Sequence, residues 1–147
     1  MSREVLKTES QKRALVISLE GDLGGGKTTF LQGFAKELGI KQKILSPTFI
    51  IMKKFLISNG ARQSGRVAGG LESQFLNFYH IDCYRIKKPK EILDLGFKGI
   101  VSGSRNIVAI EWADRIKKVI PKGAIWVNFA FLGRNKRKIV IKQKNGK

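Results

Sequence analysis

Ala14-Leu15-Val16-Ile17-Ser18-Leu19-Glu20-Gly21-Asp22-Leu23-Gly24-Gly25-Gly26-Lys27-Thr28-Thr29-Phe30 decides how this chain is read. The run from Ala14 to Leu19 is short, mostly apolar and rich in β-formers, so it reads as a buried strand ended by glycines. From Lys27 to Leu38 the apolar residues Phe30, Leu31, Phe34, Ala35 and Leu38 recur at helical spacing, and Gly39 is the stop signal. Between strand and helix, Gly21-Asp22-Leu23-Gly24-Gly25-Gly26-Lys27-Thr28 satisfies G-x-x-x-x-G-K-[ST] at every fixed position. A phosphate chain needs several donors converging on its oxygens. A loop rich in glycine can turn its backbone N–H groups inward, and the helix that follows offers more of them. Gly21, Asp22, Gly24, Gly25, Gly26, Lys27, Thr28 and Thr29 are therefore the candidate nucleotide-binding residues. Lys27 is expected to project from the loop toward the phosphates, and the Thr28 hydroxyl can ligate Mg²⁺. A glycine turn that binds nothing is the competing reading, and the placement between a strand and a helix argues against it.

Such a site needs an acid beyond an apolar strand to hold magnesium. Asp82 ends Phe78-Tyr79-His80-Ile81, and Glu111 ends Ile107-Val108-Ala109-Ile110. Both belong at the C-terminal ends of strands, the phosphate side of such a sheet. Lys27, Asp82 and Glu111 are the candidate catalytic residues, and Thr28, Glu111 and Asp82 the candidate metal ligands. No Asn-Lys-x-Asp or Thr-Lys-x-Asp stretch occurs, so a guanine-specific pocket is not supported.

Further out, Phe49 to Met52 and Phe75 to Asp82 read as strands, Pro89 to Leu95 as a short helix, and Ile107 to Ile110 as a central strand. Ala113 to Val119 reads as a short basic helix. Ile125, Val127, Phe129 and Phe131 alternate like a half-buried strand, and after the Gly133-Arg134-Asn135 turn the segment from Lys138 to Lys142 pairs back. Strands alternating with helices give an α/β fold. It is expected to be P-loop NTPase-like, with a mainly parallel sheet flanked by helices and a closing antiparallel hairpin. One domain over 1–147 is expected, with a loose lead-in at 1–13 and a flexible basic loop at 58–74. His80 is expected to be a hydrogen-bonded structural residue, Cys83 an apolar filler, and Trp126 a packing residue.

The 147 residues carry 29 Lys and Arg against 11 Asp and Glu, a formal net charge of +18. Such a charge predicts attraction to polyanions and says nothing of the fold. With 42% hydrophobic residues, the chain can build a core. One cysteine excludes a disulfide framework or a cysteine zinc cluster. No apolar run is long enough for a transmembrane helix, no signal peptide is evident, and a cytoplasmic, membrane-free protein is expected. No acidic residue occurs after Asp114, so the basic end and the 58–74 loop together form a surface expected to attract a polyanion such as RNA.

Four segments in order resemble the TsaE (YjeE) family. They are the phosphate loop Gly21 to Phe30, Ser46-Pro47-Thr48-Phe49, Tyr79-His80-Ile81-Asp82-Cys83-Tyr84-Arg85 and Ile110-Glu111-Trp112. The family's proteins are small bacterial P-loop ATPases needed for the threonylcarbamoyladenosine (t6A) modification of tRNA. The resemblance implies ATP and Mg²⁺ as cofactors, with Gly24 to Thr29 around the phosphates and Thr28, Glu111 and Asp82 at the metal. It further implies Ser46, Pro47 and Thr48 as a switch-like segment and Trp112 beside the site. It implies the TsaD and TsaB proteins as partners and ATPase activity coupled to them. Three features depart from the family's pattern: 1–13 is polar where members usually carry an amphipathic helix, the 58–74 loop resembles an insertion, and the net charge is high. Two other readings of the residues stand beside this one: a small-molecule kinase whose lid carries Arg62 and Arg66, and a basic RNA-binding module with little turnover.

Overall fold

The computed structural model describes residues 12–22, 26–45, 50–57 and 75–143. Among them, the motif-bearing segment forms strand β1 (Leu15–Gly21) and helix α1 (Lys27–Glu37), as its apolar run and helical spacing require. There follow β2 (Met52–Leu56), β3 (Asn77–Asp82), α2 (Pro89–Leu93), α3 (Phe97–Ser102) and β4 (Asn106–Glu111). A 3₁₀ helix (Ala113–Val119), β5 (Ile125–Gly133) and β6 (Lys136–Gln143) complete the described chain. The strands form one six-stranded sheet in the order β2-β3-β4-β1-β5-β6. β3, β4, β1 and β5 are parallel neighbours, while β2 and β6 run antiparallel on the two edges. The mainly parallel sheet with a closing hairpin is thus observed, and the fold is P-loop NTPase-like.

A parallel sheet must bury both faces, and the two sides of β1 show how. Leu15, Ile17 and Leu19 pack with Leu31, Phe34 and Ala35 of α1 and with its C-cap Leu38, together with Phe78, Ile107, Ala109, Val127 and Phe129. Val16 points the other way, into a cluster with Ile81, Val108, Ile110, Ile92, Phe97 and Ile116 beneath α2, α3 and the 3₁₀ helix. Alternation along β3 and β4 then fixes the site. Phe78 faces α1, so His80 and Asp82 do too; Ile107 and Ala109 face α1, so Glu111 does too. In register, Asp82 lies opposite Glu111, and Leu19 lies opposite Glu111 on its other side.

Several boundaries differ from the sequence expectation for physical reasons. The strand expected over Phe49 to Met52 instead runs from Met52 to Leu56, with Lys53 and Lys54 exposed; residue 49 lies outside the described residues. An edge strand tolerates lysines that a central strand would not. α3 has only six residues, too few for its periodicity to register. The helix expected over Ala113 to Val119 is 3₁₀ and kinks at Ile116, where φ is −124°. Among the described residues no helix is long and apolar enough to cross a membrane.

Candidate functional site

β1 ends at Gly21 with φ 129°, a left-handed value that glycine adopts readily. A Cβ there would lie 2.0 Å from the Phe129 carbonyl oxygen of β5, so the chain can turn off the sheet at this point only without a side chain. The Asp22 N–H donates to that same carbonyl at 3.2 Å. Gly26, with φ 98°, caps α1. Its carbonyl accepts from Phe30 N–H at 2.9 Å, the helix's first turn. Lys27 is therefore the first residue of α1 rather than a projection from the loop, and it is only 6% exposed. Its Nζ donates to the carbonyls of Gly21 and Asp22, both at 2.8 Å, and lies 4.3 Å from the centre of the Trp112 ring. Burial pushes the Lys27 pKa below its ordinary value, opposed by Glu111, Asp22, Asp114 and Asp82.

One residue further, Thr28 Oγ1 donates to Glu111 Oε1 at 2.9 Å, tying the start of α1 to the end of β4. A hydroxyl has one hydrogen and two lone pairs, so this bond leaves lone pairs able to face a cation. Glu111 is 2% exposed, and its second oxygen, Oε2, lies 2.6 Å from His80 Nε2. A carboxylate only accepts, so Nε2 carries the hydrogen in this contact. Asp82 is buried beside Glu111, and its Oδ1 accepts from the Tyr84 N–H at 2.9 Å, which holds the β3 end in a turn. The donor set is hard oxygen: the Thr28 hydroxyl and the Glu111 and Asp82 carboxylates. It suits Mg²⁺, which is commonly bound by one or two carboxylates together with substrate phosphates. Among the described residues no group of three or more His, Cys, Asp or Glu could hold a metal by itself.

Trp112 follows Glu111 with φ 55° and ψ 41°, the one described non-glycine residue with positive φ. Such a conformation costs a bulky residue about 1–3 kcal/mol and clusters at functional sites. It turns the indole over Lys27, where Tyr84 packs at 5.2 Å and the Arg115 guanidinium lies 5.7 Å from the ring.

This geometry can be set beside known proteins. The family model described as threonylcarbamoyl adenosine biosynthesis protein TsaE matches residues 2–139. The chain belongs to the TsaE family. A Rickettsia typhi relative, a tRNA threonylcarbamoyladenosine biosynthesis protein TsaE, is 37% identical over 131 residues, 88% of this chain and 78% of its own length. A Bacillus subtilis TsaE is 36% identical over 126 residues, 86% of this chain and 68% of its own length. The crystal structure of Bacillus subtilis YdiB aligns with a TM-score of 0.65 at 28% identity, covering 98% of this chain and 79% of that one.

Within this TsaE-family chain, Gly21, Gly26, Lys27, Thr28, Asp82, Glu111 and Trp112 converge at the C-terminal end of the sheet. Asp22 is exposed, and its side chain meets the Phe131 N–H at 3.5 Å; Thr29 is also exposed. Gly24 and Gly25 lie outside the described residues, as do Ser46, Pro47, Thr48 and the 58–74 loop. Sequence reasoning gave His80 a hydrogen bond without its partner, which is Glu111. Half of the signal was available: His80 precedes Asp82 by two, so both share a strand face; that β3 pairs with β4, which ends in Glu111, is known only from the structure.

Proposed function

We propose that this TsaE-family protein binds ATP with Mg²⁺, hydrolyses it, and acts as an ATPase switch on the TsaB–TsaD complex in t6A modification of tRNA. One observation carries the nucleotide reading. The residue after the motif lysine, Thr28, is hydrogen-bonded to an acid at the end of a neighbouring strand, Glu111, beside a buried ammonium. That arrangement joins the phosphate loop to a metal-holding acid.

Each residue then has a task. Gly21 and Gly26 let the backbone bend so that N–H groups can meet phosphate oxygens. Lys27 has three hydrogens, two of which reach carbonyl oxygens, and the ammonium can add or exchange a bond to the phosphates. Thr28, Glu111 and Asp82 would hold Mg²⁺, which offsets the phosphate charge when bound. Trp112 shields Lys27 from water, which strengthens its field at the phosphates.

Family membership supports the t6A pathway, the TsaB and TsaD partners and a cytoplasmic setting. It counts against a small-molecule kinase. The exposed Arg134, Lys136, Lys138 and Lys142 of the β5–β6 hairpin support direct tRNA contact. The test is phosphate release by the purified protein alone, with tRNA, and with its TsaB–TsaD counterparts. Stimulation by the protein pair is expected. Turnover that the pair leaves unchanged contradicts the switch role, and phosphorylation of a metabolite replaces it with a kinase.

A further inference from the structure

β3 carries a second ionisable side chain that the proposed chemistry leaves idle. His80 is 1% exposed, on the face of β3 that meets α1, between Phe78 and Asp82. Its surroundings in that layer include Phe78, Ile107 and Ala109, all fully buried. An apolar ring would fill this space without the burial penalty that a polar one carries unless it is hydrogen-bonded. The bond it makes is directed at one atom, Glu111 Oε2, at 2.6 Å. Glu111 is thus tethered from two sides, by Thr28 on Oε1 and by His80 on Oε2. The two tethers are not equivalent. Thr28 stands on the helix that binds phosphate, and its hydroxyl is itself a candidate ligand. His80 stands in the sheet, bonds the oxygen that faces away from Thr28, and belongs to no surface the nucleotide can reach. It can hold the carboxylate in one orientation whatever α1 does.

We propose that His80 is a positioning residue for Glu111: it fixes the carboxylate that serves the metal without touching metal or nucleotide. The inference rests on the proposed nucleotide and Mg²⁺ site. Partners of this outer kind orient ligands, and their removal costs about 10- to 100-fold in metal affinity or activity.

The test compares wild type, His80→Phe and His80→Gln, each first shown to be folded by its thermal melt. Two quantities are read: ATP affinity in the presence of EDTA, and Mn²⁺ affinity of the nucleotide complex by electron paramagnetic resonance. Phenylalanine keeps the ring and removes the donor. Glutamine places an amide N–H near the position of Nε2. The expected result is Mn²⁺ affinity weakened about 10- to 100-fold in His80→Phe, with metal-free ATP affinity unchanged and Mn²⁺ affinity largely restored in His80→Gln. A folded His80→Phe with wild-type Mn²⁺ affinity overturns the inference while leaving the site intact. Equal losses in both affinities overturn it in favour of a general structural role. Should His80→Phe not fold, His80→Asn against His80→Gln decides, because asparagine's amide is too short to reach Glu111: equal Mn²⁺ affinities in the two overturn the proposal. A wild-type protein that binds ATP without any Mn²⁺ overturns both the metal site and the inference.

Discussion

Lys27→Met separates the roles of fold and site. The native ammonium makes two hydrogen bonds at 2.8 Å to the Gly21 and Asp22 carbonyls. Hydrogen bonds to charged groups contribute roughly 1.5–3 kcal/mol each. Against them stands the burial of the charge, the leading cause of the lowered Lys27 pKa. Methionine fills nearly the same volume, and the abandoned carbonyls belong to a half-buried residue and an exposed one, where water can serve them. The net loss of stability should therefore stay near 1–2 kcal/mol, about the size of one hydrogen bond. Nucleotide binding should suffer more. Removing a charge from a protected pair costs about 2–5 kcal/mol. At about 1.4 kcal/mol per tenfold, that is roughly 30- to 4,000-fold in ATP affinity. Urea denaturation measures the first quantity and isothermal titration calorimetry the second. A folded Lys27→Met protein that binds ATP as the wild type does refutes the assignment of the phosphate loop.

Four further outcomes are expected. Gly21→Ala should destabilise by more than about 2 kcal/mol in denaturant, because the new Cβ meets a backbone oxygen at a left-handed φ. The single thiol, Cys83, is fully buried and its pKa is pushed up to about 12, so it should resist iodoacetamide at pH 8 until the protein unfolds. For Lys27, whose pKa is lowered from 10.5, the unfolded chain holds the extra proton between the lowered value and 10.5. Wild-type stability relative to Lys27→Met should therefore rise with pH across that window, read from paired denaturation curves. If the β5–β6 hairpin meets tRNA, the log–log salt slope should be about −0.7 to −0.9 per phosphate contact, and neutralising Arg134, Lys136 and Lys138 should flatten it. Salt-independent binding contradicts that contact.

The central parallel strands were legible because they are buried on both faces and read as apolar runs. Ile107 to Ile110 became β4, and Leu15 to Leu19 became the core of β1. The glycine loop announced the site because its residue types are dictated by phosphate chemistry. The edge strand β2 was misplaced because an edge needs few apolar residues, and its two lysines masked it. What linear reading could not supply was pairing. That Glu111, rather than Asp82, takes the Thr28 hydroxyl depends on β4 lying next to β1, a fact of strand order. The strain at Trp112 and the placement of its ring over Lys27 likewise arise where β4 ends and the 3₁₀ helix begins, and local composition carries no mark of either.

The most direct test of the site is calorimetric titration of ATP into the wild type and into Glu111→Gln, each with and without Mg²⁺. Glutamine keeps the size of Glu111 and removes its charge, and its single amide oxygen can accept only one of the two hydrogen bonds that Thr28 and His80 make to the carboxylate. The expected result is one ATP per chain in the wild type, tightened by Mg²⁺. In Glu111→Gln, metal-free binding should persist, with the Mg²⁺ effect reduced by about tenfold or more. Absence of ATP binding by the folded wild type, or an undiminished Mg²⁺ effect in Glu111→Gln, would contradict the account.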